Sequence, residues 1–343
     1  MGFEIQIVPG KAEVRSVVPG VPGRADNAAR DDLGSKSALV IHGTRPRPEV
    51  RAVVAPAARR RSLRGYLYVL PALLFYVTFA ILPALHTAYL SLFDWDGITL
   101  ATFVGLGNYL EVLTDPDLRA AVVHALVLVV FFSWVPIVLG MLMVGLLARH
   151  RQRGMTAFRV LFFLPQIVPL VAVGITWRWM YGDDGVVNQA LRLVGLDSVT
   201  RAWLGDFDAA LVAVGLVGTW AMSGLCMMLF LSGVQKVDTN LYEAARLDGA
   251  GPVREFVTVT LPALRGEVAV AMTVTTVAAL ASFDIVYVTT NGGPADRTTV
   301  PGLLVYRLAF TQSEVGLAAA LATVLAALIL LVVYAITRLT RSE

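Results

Sequence analysis

Residues 241–262 read LYEAARLDGAGPVREFVTVTLP, a short polar stretch between two long apolar runs. Residues 238–240 are Asp, Thr and Asn, whose side-chain oxygens commonly begin a helix. Gly249 and Gly251 can take the open or left-handed backbone that ends such a helix, and Pro252 suits the first turn of the next one. The stretch therefore predicts a helix–turn–helix that projects from a membrane domain and can fit a cleft on a partner.

The second helix of this stretch is predicted to be amphipathic. Val253, Phe256, Val257 and Thr260 recur at helical spacing and should form one mostly apolar face. Taken alone, this pattern is equally consistent with an ordinary amphipathic loop between two membrane helices. The residue types and spacing of the whole stretch are needed to decide between the two interpretations.

Those residue types and spacings resemble the EAA loop of permease subunits in binding-protein-dependent ATP-binding-cassette importers. The matching positions are Glu243, Ala244, Ala245, Gly249, Val259, Leu261 and Pro262. Val259 stands where the family usually has isoleucine, which is also apolar and β-branched. Asp248 and Ala250 extend the similarity to a longer form of the motif. We therefore expect a coupling loop over residues 237–265.

The resemblance implies that the helix from Glu243 to Gly249 docks in a groove of a separate ATP-binding subunit. Glu243 would face a basic group there, because a charged contact helps to fix the register of an interface. Ala244 and Ala245 would be small so that the helix can approach the groove wall. Gly249 would serve the turn, and Pro262 the return into the fifth membrane helix. A solvated helix charge is the alternative interpretation of Glu243.

The same resemblance implies the partners and the location of the chain. We expect a second, homologous permease subunit, two ATP-binding subunits and an extracellular solute-binding protein, all assembled at the bacterial cell membrane. The chain contains no G-x-x-x-x-G-K-[ST] phosphate loop, so ATP should be hydrolysed on the separate subunits and the chain should not be an enzyme. We also expect no cofactor and no metal, because the four histidines are scattered along the chain.

The composition is that of an integral membrane protein. Of the 343 residues, 57% are hydrophobic and only 15% are charged, whereas a soluble domain usually has about 25% charged residues. The net charge of +3 does not require a nucleic-acid partner, because the excess arginine lies where a membrane would place it. Cys226 is the single cysteine, so no intramolecular disulfide can form.

The first 60 residues differ from the rest of the chain. They are rich in proline, glycine and scattered charge, and they show no sustained periodicity. We predict a disordered cytoplasmic tail over residues 1–60, or a start codon placed too early, followed by a membrane domain over residues 61–343.

Six apolar runs are long enough for the roughly 20 residues that a membrane-spanning helix needs. They cover approximately residues 66–89, 122–147, 160–177, 209–231, 268–288 and 316–336. The predicted fold is therefore all-α, with six transmembrane helices. Most Arg and Lys residues fall on the side that holds the coupling loop, whereas the opposite loops are rich in Asp and Glu. The positive-inside rule then places the coupling loop and both termini in the cytoplasm.

The segments on the predicted outer side extend the resemblance to the carbohydrate-uptake branch of these permeases. Residues 103–109 read FVGLGNY, and Asn188 lies in a second similar segment. Residues 283–294 read FDIVYVTTNGGP and resemble the end of the fifth helix in that branch. The similarity is to the "first" permease half of the maltose and glycerol-phosphate systems. It implies a sugar or a related polyol as the substrate.

Asp284 is the acidic residue that this reasoning places within a span, near the outer face. An acid at membrane depth is a functional candidate by default, so Asp284 is a candidate for the translocation path. The alternative is a structural hydrogen bond to a neighbouring helix or to the loop at residues 291–294. Trp177, Trp179, Tyr181 and Tyr287 are expected in the aromatic belt at the membrane interface, although aromatic rings also stack on sugars.

Two other classes of membrane protein fit the composition. A self-contained secondary transporter or channel would predict internal repeats and several charges within the spans. A structural or assembly protein of the membrane would predict no motif of the kind found from Glu243 to Pro262. Neither class explains the stretch from Glu243 to Pro262, which we interpret as the feature that favours an importer subunit.

Overall fold

The computed structural model describes residues 63–147 and 155–340 of the chain. The tail predicted over residues 1–60 lies outside the described residues. The helices are α1 (Leu63–Tyr76), α2 (Leu82–Leu90), α3 (Gly107–Thr114), α4 (Pro116–Val129), α5 (Val135–Leu147), α6 (Met155–Ile167), α7 (Leu170–Met180), α8 (Val186–Leu193), α9 (Ala210–Val234), α10 (Thr239–Leu247), α11 (Pro252–Glu255), α12 (Leu261–Ala263), α13 (Arg265–Leu280), α14 (Asp284–Thr289), α15 (Pro301–Phe310) and α16 (Val315–Thr340). The predicted all-α fold is confirmed, and the two short strands β1 (Phe93–Asp94) and β2 (Thr102–Phe103) form a small antiparallel pair.

Three short π-helical turns interrupt the helical runs. They cover Val77–Ile81, Val130–Trp134 and Phe256–Thr260, and each ends two residues before a proline, namely Pro83, Pro136 and Pro262. A proline within a helix lacks an N–H and its ring collides with the carbonyl four residues earlier. A wider turn just before the proline relieves that collision at these three positions, whereas Pro71 and Pro165 lie within α1 and α6 without a π turn.

Within residues 63–147 and 155–340, four continuous helical runs are long and apolar enough to cross a membrane. They are Tyr68–Leu90, Pro116–Gly145, Ala210–Val234 and Val315–Thr340. Two further runs qualify only as bent pairs: Thr156–Ile167 with Leu170–Met180, and Pro252–Ala263 with Arg265–Leu280, which bend by 102° and 69°. The count of six spans requires each bent pair to cross once, and it stays a prediction.

The predicted third and fifth spans are not single helices. The third is broken at Val168 and Pro169, because a proline disfavours the helical conformation of the residue before it. The fifth was expected to continue to residue 288, but α13 ends at Leu280 and α14 begins at Asp284. Gly302 allows α15 to lie against this break, since a Cβ at Gly302 would be 3.2 Å from the Ser282 carbonyl oxygen. The apolar pattern of the sequence could not predict this break, because it carries no information on the contact between α15 and residue 282.

The central element of the fold is α9. Most of its residues are buried, including Val214, Val217 and Phe230. Its glycines permit close helix contacts, because a Cβ at Gly218 would be 2.0 Å from the Phe132 ring and one at Gly224 would be 2.0 Å from the Phe162 carbonyl oxygen. Small residues at such contacts are the usual way in which membrane helices approach one another.

Candidate functional site

The coupling loop begins with the helix α10, which is capped at both ends as its sequence predicts. At the start, the Asp238 side chain accepts a hydrogen bond from the N–H of Asn240 at 3.0 Å. At the end, Gly249 has φ +77°, which confirms the left-handed backbone expected there. The N–H of Gly249 donates to the carbonyl of Arg246, and the N–H of Ala250 donates to the carbonyl of Ala245. These two bonds form the Schellman motif that ends many helices.

The second helix of the coupling loop begins at Pro252, also as predicted, but its apolar face is divided. Phe256 is half-buried and Thr260 is buried, whereas Val253 and Val257 are exposed. The prediction of one face assumed 3.6 residues per turn. The π turn over Phe256–Thr260 is wider than that, so residues after Phe256 do not keep the expected alignment.

Two side-chain contacts join α10 to the segment that follows the turn. Arg246 binds Glu255 with both arms of its guanidinium group, Nε to Oε2 at 3.0 Å and Nη2 to Oε1 at 3.2 Å. The Tyr242 hydroxyl lies 3.2 Å from the Thr260 hydroxyl. The hydrogen bond and the charge of Glu255 raise the pKa of Arg246 above its usual value, and Glu243 adds to this effect.

The sequence reasoning missed the pair of Arg246 and Glu255. It treated Arg246 as a helix former and a cytoplasmic charge, and it did not single out Glu255. The available signal was two opposite charges on either side of a predicted tight turn. That signal is weak, because the angle between the two helices decides whether the side chains meet.

The face of α10 that points away from the protein is apolar, with one carboxylate beside it. Leu241, Ala244 and Leu247 recur at three-residue spacing and are all exposed, Leu247 to 89%. Glu243 lies next to this stripe and forms no hydrogen bond or ion pair with any residue in the described part of the chain. Ala245 and Ala250 are half-buried on the inner side.

The remaining motif positions are also at the surface of the coupling loop. Asp248 and Pro262 are exposed, and Pro262 lies two residues before the bend at Leu264 that leads into α13. A cavity of about 420 Å³ lies on the inner side of α10. Its lining includes Gly145, Gln235, Tyr242, Glu243, Glu255 and Phe256. The structure therefore brings the predicted motif residues together on one projecting element.

Asp284 lies apart from the coupling loop, at the first residue of α14 and directly after the break in the fifth span. Its side chain is exposed, and within the described ranges it has no hydrogen-bond or ion-pair partner. The described residues show no structural hydrogen bond from Asp284 to a neighbouring helix or to the loop at residues 291–294. Arg307 holds that loop instead, through the Asp296 carboxylate at 2.7 Å and the Asn291 carbonyl. Hydrogen bonds from Arg307 and Thr299 lower the pKa of Asp296.

Of the four aromatic residues expected at the membrane interface, Tyr181 and Trp177 pack inside the protein and Trp179 and Tyr287 are more exposed. Tyr181 is buried and its hydroxyl donates to the Ala213 carbonyl at 3.1 Å, so its expected place in an interface belt is wrong. Trp177 is half-buried and packs against Tyr181. Trp179 is 76% exposed. Tyr287 is partly exposed and stacks on Phe283 beside Asp284.

The outer segments that carried the family resemblance have structural roles. The Asn108 amide donates to the carbonyls of Ser91 and Phe93, both at 2.9 Å. The Asn188 amide donates to three backbone carbonyls, including that of Arg201, and its oxygen accepts from the Trp203 indole. These asparagines hold loops in place and are not free to bind a substrate. Over the ranges 63–147 and 155–340, no group of three or more His, Cys, Asp or Glu side chains could hold a metal ion.

Comparisons with known proteins agree with this architecture. Residues 136–342 match the family described as binding-protein-dependent transport system inner membrane component. The chain is 35% identical to the probable ABC transporter permease protein YurN of Bacillus subtilis, over 76% of this chain and 89% of that one. It is 34% identical to the trehalose/maltose transport system permease protein MalF of Thermococcus litoralis, over 79% and 91%. It is 33% identical to the diacetylchitobiose uptake system permease protein NgcF of Streptomyces coelicolor, over 77% and 79%.

The fold also matches a solved structure. A chain of a bacterial ABC transporter involved in alginate import superposes with a TM-score of 0.67. The match covers 82% of this chain and 96% of that one, at 19% sequence identity. At that identity the likeness concerns the fold alone.

Proposed function

The chain belongs to the family of binding-protein-dependent transport system inner membrane components, and we propose from that membership how its coupling loop works. It is a permease subunit of an ATP-binding-cassette importer for sugars and a multi-pass protein of the bacterial cell membrane. Permease subunits are not enzymes, so ATP hydrolysis lies on separate subunits. The proposal is that α10 docks in a groove of one of these subunits. Two ATP-binding subunits, a second permease and a solute-binding protein would complete the importer.

The observation that carries the proposal is the outward stripe of Leu241, Ala244 and Leu247 beside Glu243. An amphipathic helix with an exposed apolar stripe is the usual form of a helix that binds in a groove. Burying one leucine side chain contributes about 1.5–3 kcal/mol, so the two leucines offer a substantial part of a docking energy. The small side chain of Ala244 between them allows the groove wall to come close.

Glu243 adds specificity to this contact. Its carboxylate is exposed and forms no hydrogen bond or ion pair in the described part of the chain, and the nearby guanidinium group of Arg246 is held by Glu255, so Glu243 is available to a basic group across the interface. Such pairs fix the register of an interface, and like charges at the same place cost several kcal/mol. The docking surface of α10 is therefore apolar at its centre and acidic at one edge.

The test of docking is whether the ATP-binding subunits remain with the permease during purification. We expect Glu243→Lys to reduce the retained ATP-binding subunit at least tenfold, because about 1.4 kcal/mol corresponds to a factor of ten. The amount of permease in the membrane should be unchanged, since Glu243 is exposed.

The matched control for this test is Arg254→Gln. Arg254 is an exposed charge on the same loop whose side chain forms no hydrogen bond within the described ranges. Lys236 is not a suitable control, because its Nζ lies 3.0 Å from Glu267 Oε1 and ties the end of α9 to α13. Equal retention by the Glu243 variant and the Arg254 variant would show that α10 does not dock through this face.

We further propose that Asp284 contributes to the translocation path. Its exposed carboxylate follows a break in the fifth span, and a carboxylate in contact with lipid would be costly. A carboxylate accepts hydrogen bonds from sugar hydroxyls, and the stacked rings of Phe283 and Tyr287 lie beside it.

The expected result for Asp284→Asn is a severalfold loss of uptake with normal retention of the ATP-binding subunits. Uptake would be measured with the solute that the partner solute-binding protein retains. Asp208→Asn, an exposed acid in the segment before α9, is the control. Unchanged uptake by the Asp284 variant would remove this residue from the path.

A further inference from the structure

The second helix of the coupling loop rests on the end of the second span. Gly145 lies at the end of the continuous run Pro116–Gly145, and the Phe256 ring packs directly over it. A Cβ at Gly145 would be 3.3 Å from Phe256 Cε2, which is closer than most real contacts of this kind. Val144, the residue before it, is fully buried in the core cluster that includes Leu264. The coupling loop therefore touches the membrane domain at a place other than its own two ends.

The turn between α10 and α11 is held by the two backbone hydrogen bonds of the Schellman motif, but no side chain packs against its glycines. It contains Gly249 and Gly251, and neither has any atom within 4 Å of the position that a Cβ would take. Glycine leaves the backbone the largest conformational freedom of any residue. A cavity of about 420 Å³ also lies beside α10, so this helix is not tightly packed along the side that faces the cavity.

The pair of Arg246 and Glu255 adds a side-chain restraint on the angle between α10 and α11. Two parallel hydrogen bonds from one planar guanidinium group fix orientation as well as distance. The Glu255 side chain is only 11% exposed, whereas that of Arg246 is 62% exposed, so the carboxylate is shielded from solvent and the guanidinium group is not. Tyr242 and Thr260 add a second contact one turn away.

We propose that the Arg246–Glu255 pair is a positioning pair that makes the coupling loop one rigid lever. A displacement of α10 is then passed through Glu255 and Phe256 to the second span at Gly145. The backbone itself leads only into α9, through residues 235–238, and into α13, across the 69° bend at Leu264. This inference rests on the proposed docking of α10, and it adds a named route by which docking moves a second membrane helix.

The test measures movement of the second span when nucleotide binds. Nitroxide spin labels would be placed at Leu142 on the second span and at Leu70 on the first, both of which are exposed, in a Cys226→Ala background. The complete importer would be studied with and without a non-hydrolysable ATP analogue. Wild type is expected to show a nucleotide-dependent change in the distance between the labels.

The two test variants are Arg246→Lys and Glu255→Gln. Lysine keeps the charge but loses the two-armed geometry, and glutamine keeps the shape but loses the charge. Both variants should retain the ATP-binding subunits and the nucleotide-free distance of wild type, while the nucleotide-dependent change falls to less than half. A purely structural defect would instead alter the nucleotide-free distance. Arg254→Lys, an exposed arginine on the same loop, should behave as wild type.

The outcomes separate this inference from the docking proposal. If both variants keep the full nucleotide-dependent change in the distance between the labels, or if wild type shows no such change, the coupling loop does not act as a rigid lever. Retention of the ATP-binding subunits by Glu243→Lys would overturn docking instead. That second result is obtained from a different residue and a different measurement.

Discussion

Gly249 is the residue whose backbone conformation the coupling loop depends on most. Its φ of +77° lies in the left-handed region, where a residue with a Cβ is strained by roughly 1–2 kcal/mol and a β-branched one by more. We expect Gly249→Val to unwind the end of α10, because the two hydrogen bonds of the Schellman motif require that conformation. The measurement is the retention of the ATP-binding subunits, together with the rate of proteolysis within the coupling loop.

Gly251 provides a matched control for this substitution. It lies two residues away, it also has open space around its Cβ position, and its φ of −72° is ordinary for any residue. Gly251→Val should therefore leave retention and proteolysis close to wild type. If the two valine variants behave alike, the left-handed backbone of Gly249 is not what the loop requires.

For single residues, the sequence predicted the features that depend only on neighbouring residues in the chain. The cap at Asp238, the left-handed Gly249 and the helix start at Pro252 depend on a few neighbouring residues, and all three are found. The contact between Arg246 and Glu255 depends on the angle between two helices. The burial of Tyr181 depends on its packing near α9, so neither of these could be obtained from the residues alone.

Among the helices and turns, prolines explain irregularities that apolar periodicity does not predict. The π turn over Phe256–Thr260 exists because Pro262 follows it, and it places Phe256 over Gly145. We expect Pro262→Ala to let this segment become a regular α-helix, since residue 262 would regain an N–H for the carbonyl of Thr258. Phe256 should then shift from Gly145, and the nucleotide-dependent movement of the second span should fall.

Pro83→Ala is the control for this substitution. Pro83 follows an equivalent π turn in the first span, and the most apolar part of that span has no buried residues. Its removal should straighten the helix that also carries the Leu70 label, so the distance between the labels can shift equally with and without nucleotide, while the nucleotide-dependent change stays as in wild type. The same loss of movement in both variants would mean that proline removal acts through general helix packing and not through Phe256.

The molecule as a whole has two chemically different ends. One end holds the coupling loop, where Pro262 and Arg265 share a surface pocket with Leu339 and Thr340 near the end of α16. The opposite end has a pocket with more acidic than basic residues, lined by Glu111, Asp117 and Glu314 and also by Arg297 and Arg307. The charge bias and the order of the loops assign the coupling loop and the end of α16 to the same end of the molecule, and residues of both lie in one pocket. The sequence did not predict the 102° bend at Pro169 or the break between α13 and α14, and contacts with α15 accompany the second of these.

The orientation of these two ends in the membrane follows from the arginine and lysine distribution and can be tested directly. In a Cys226→Ala background, single cysteines would replace Arg254 in the coupling loop and Asp197 in the opposite loops, both of which are exposed. The positive-inside rule places position 254 in the cytoplasm. A membrane-impermeant maleimide added to intact cells should therefore label Asp197→Cys and not Arg254→Cys, and permeabilisation should allow both to react. The opposite pattern would place the coupling loop outside the cell, where no ATP-binding subunit could reach α10.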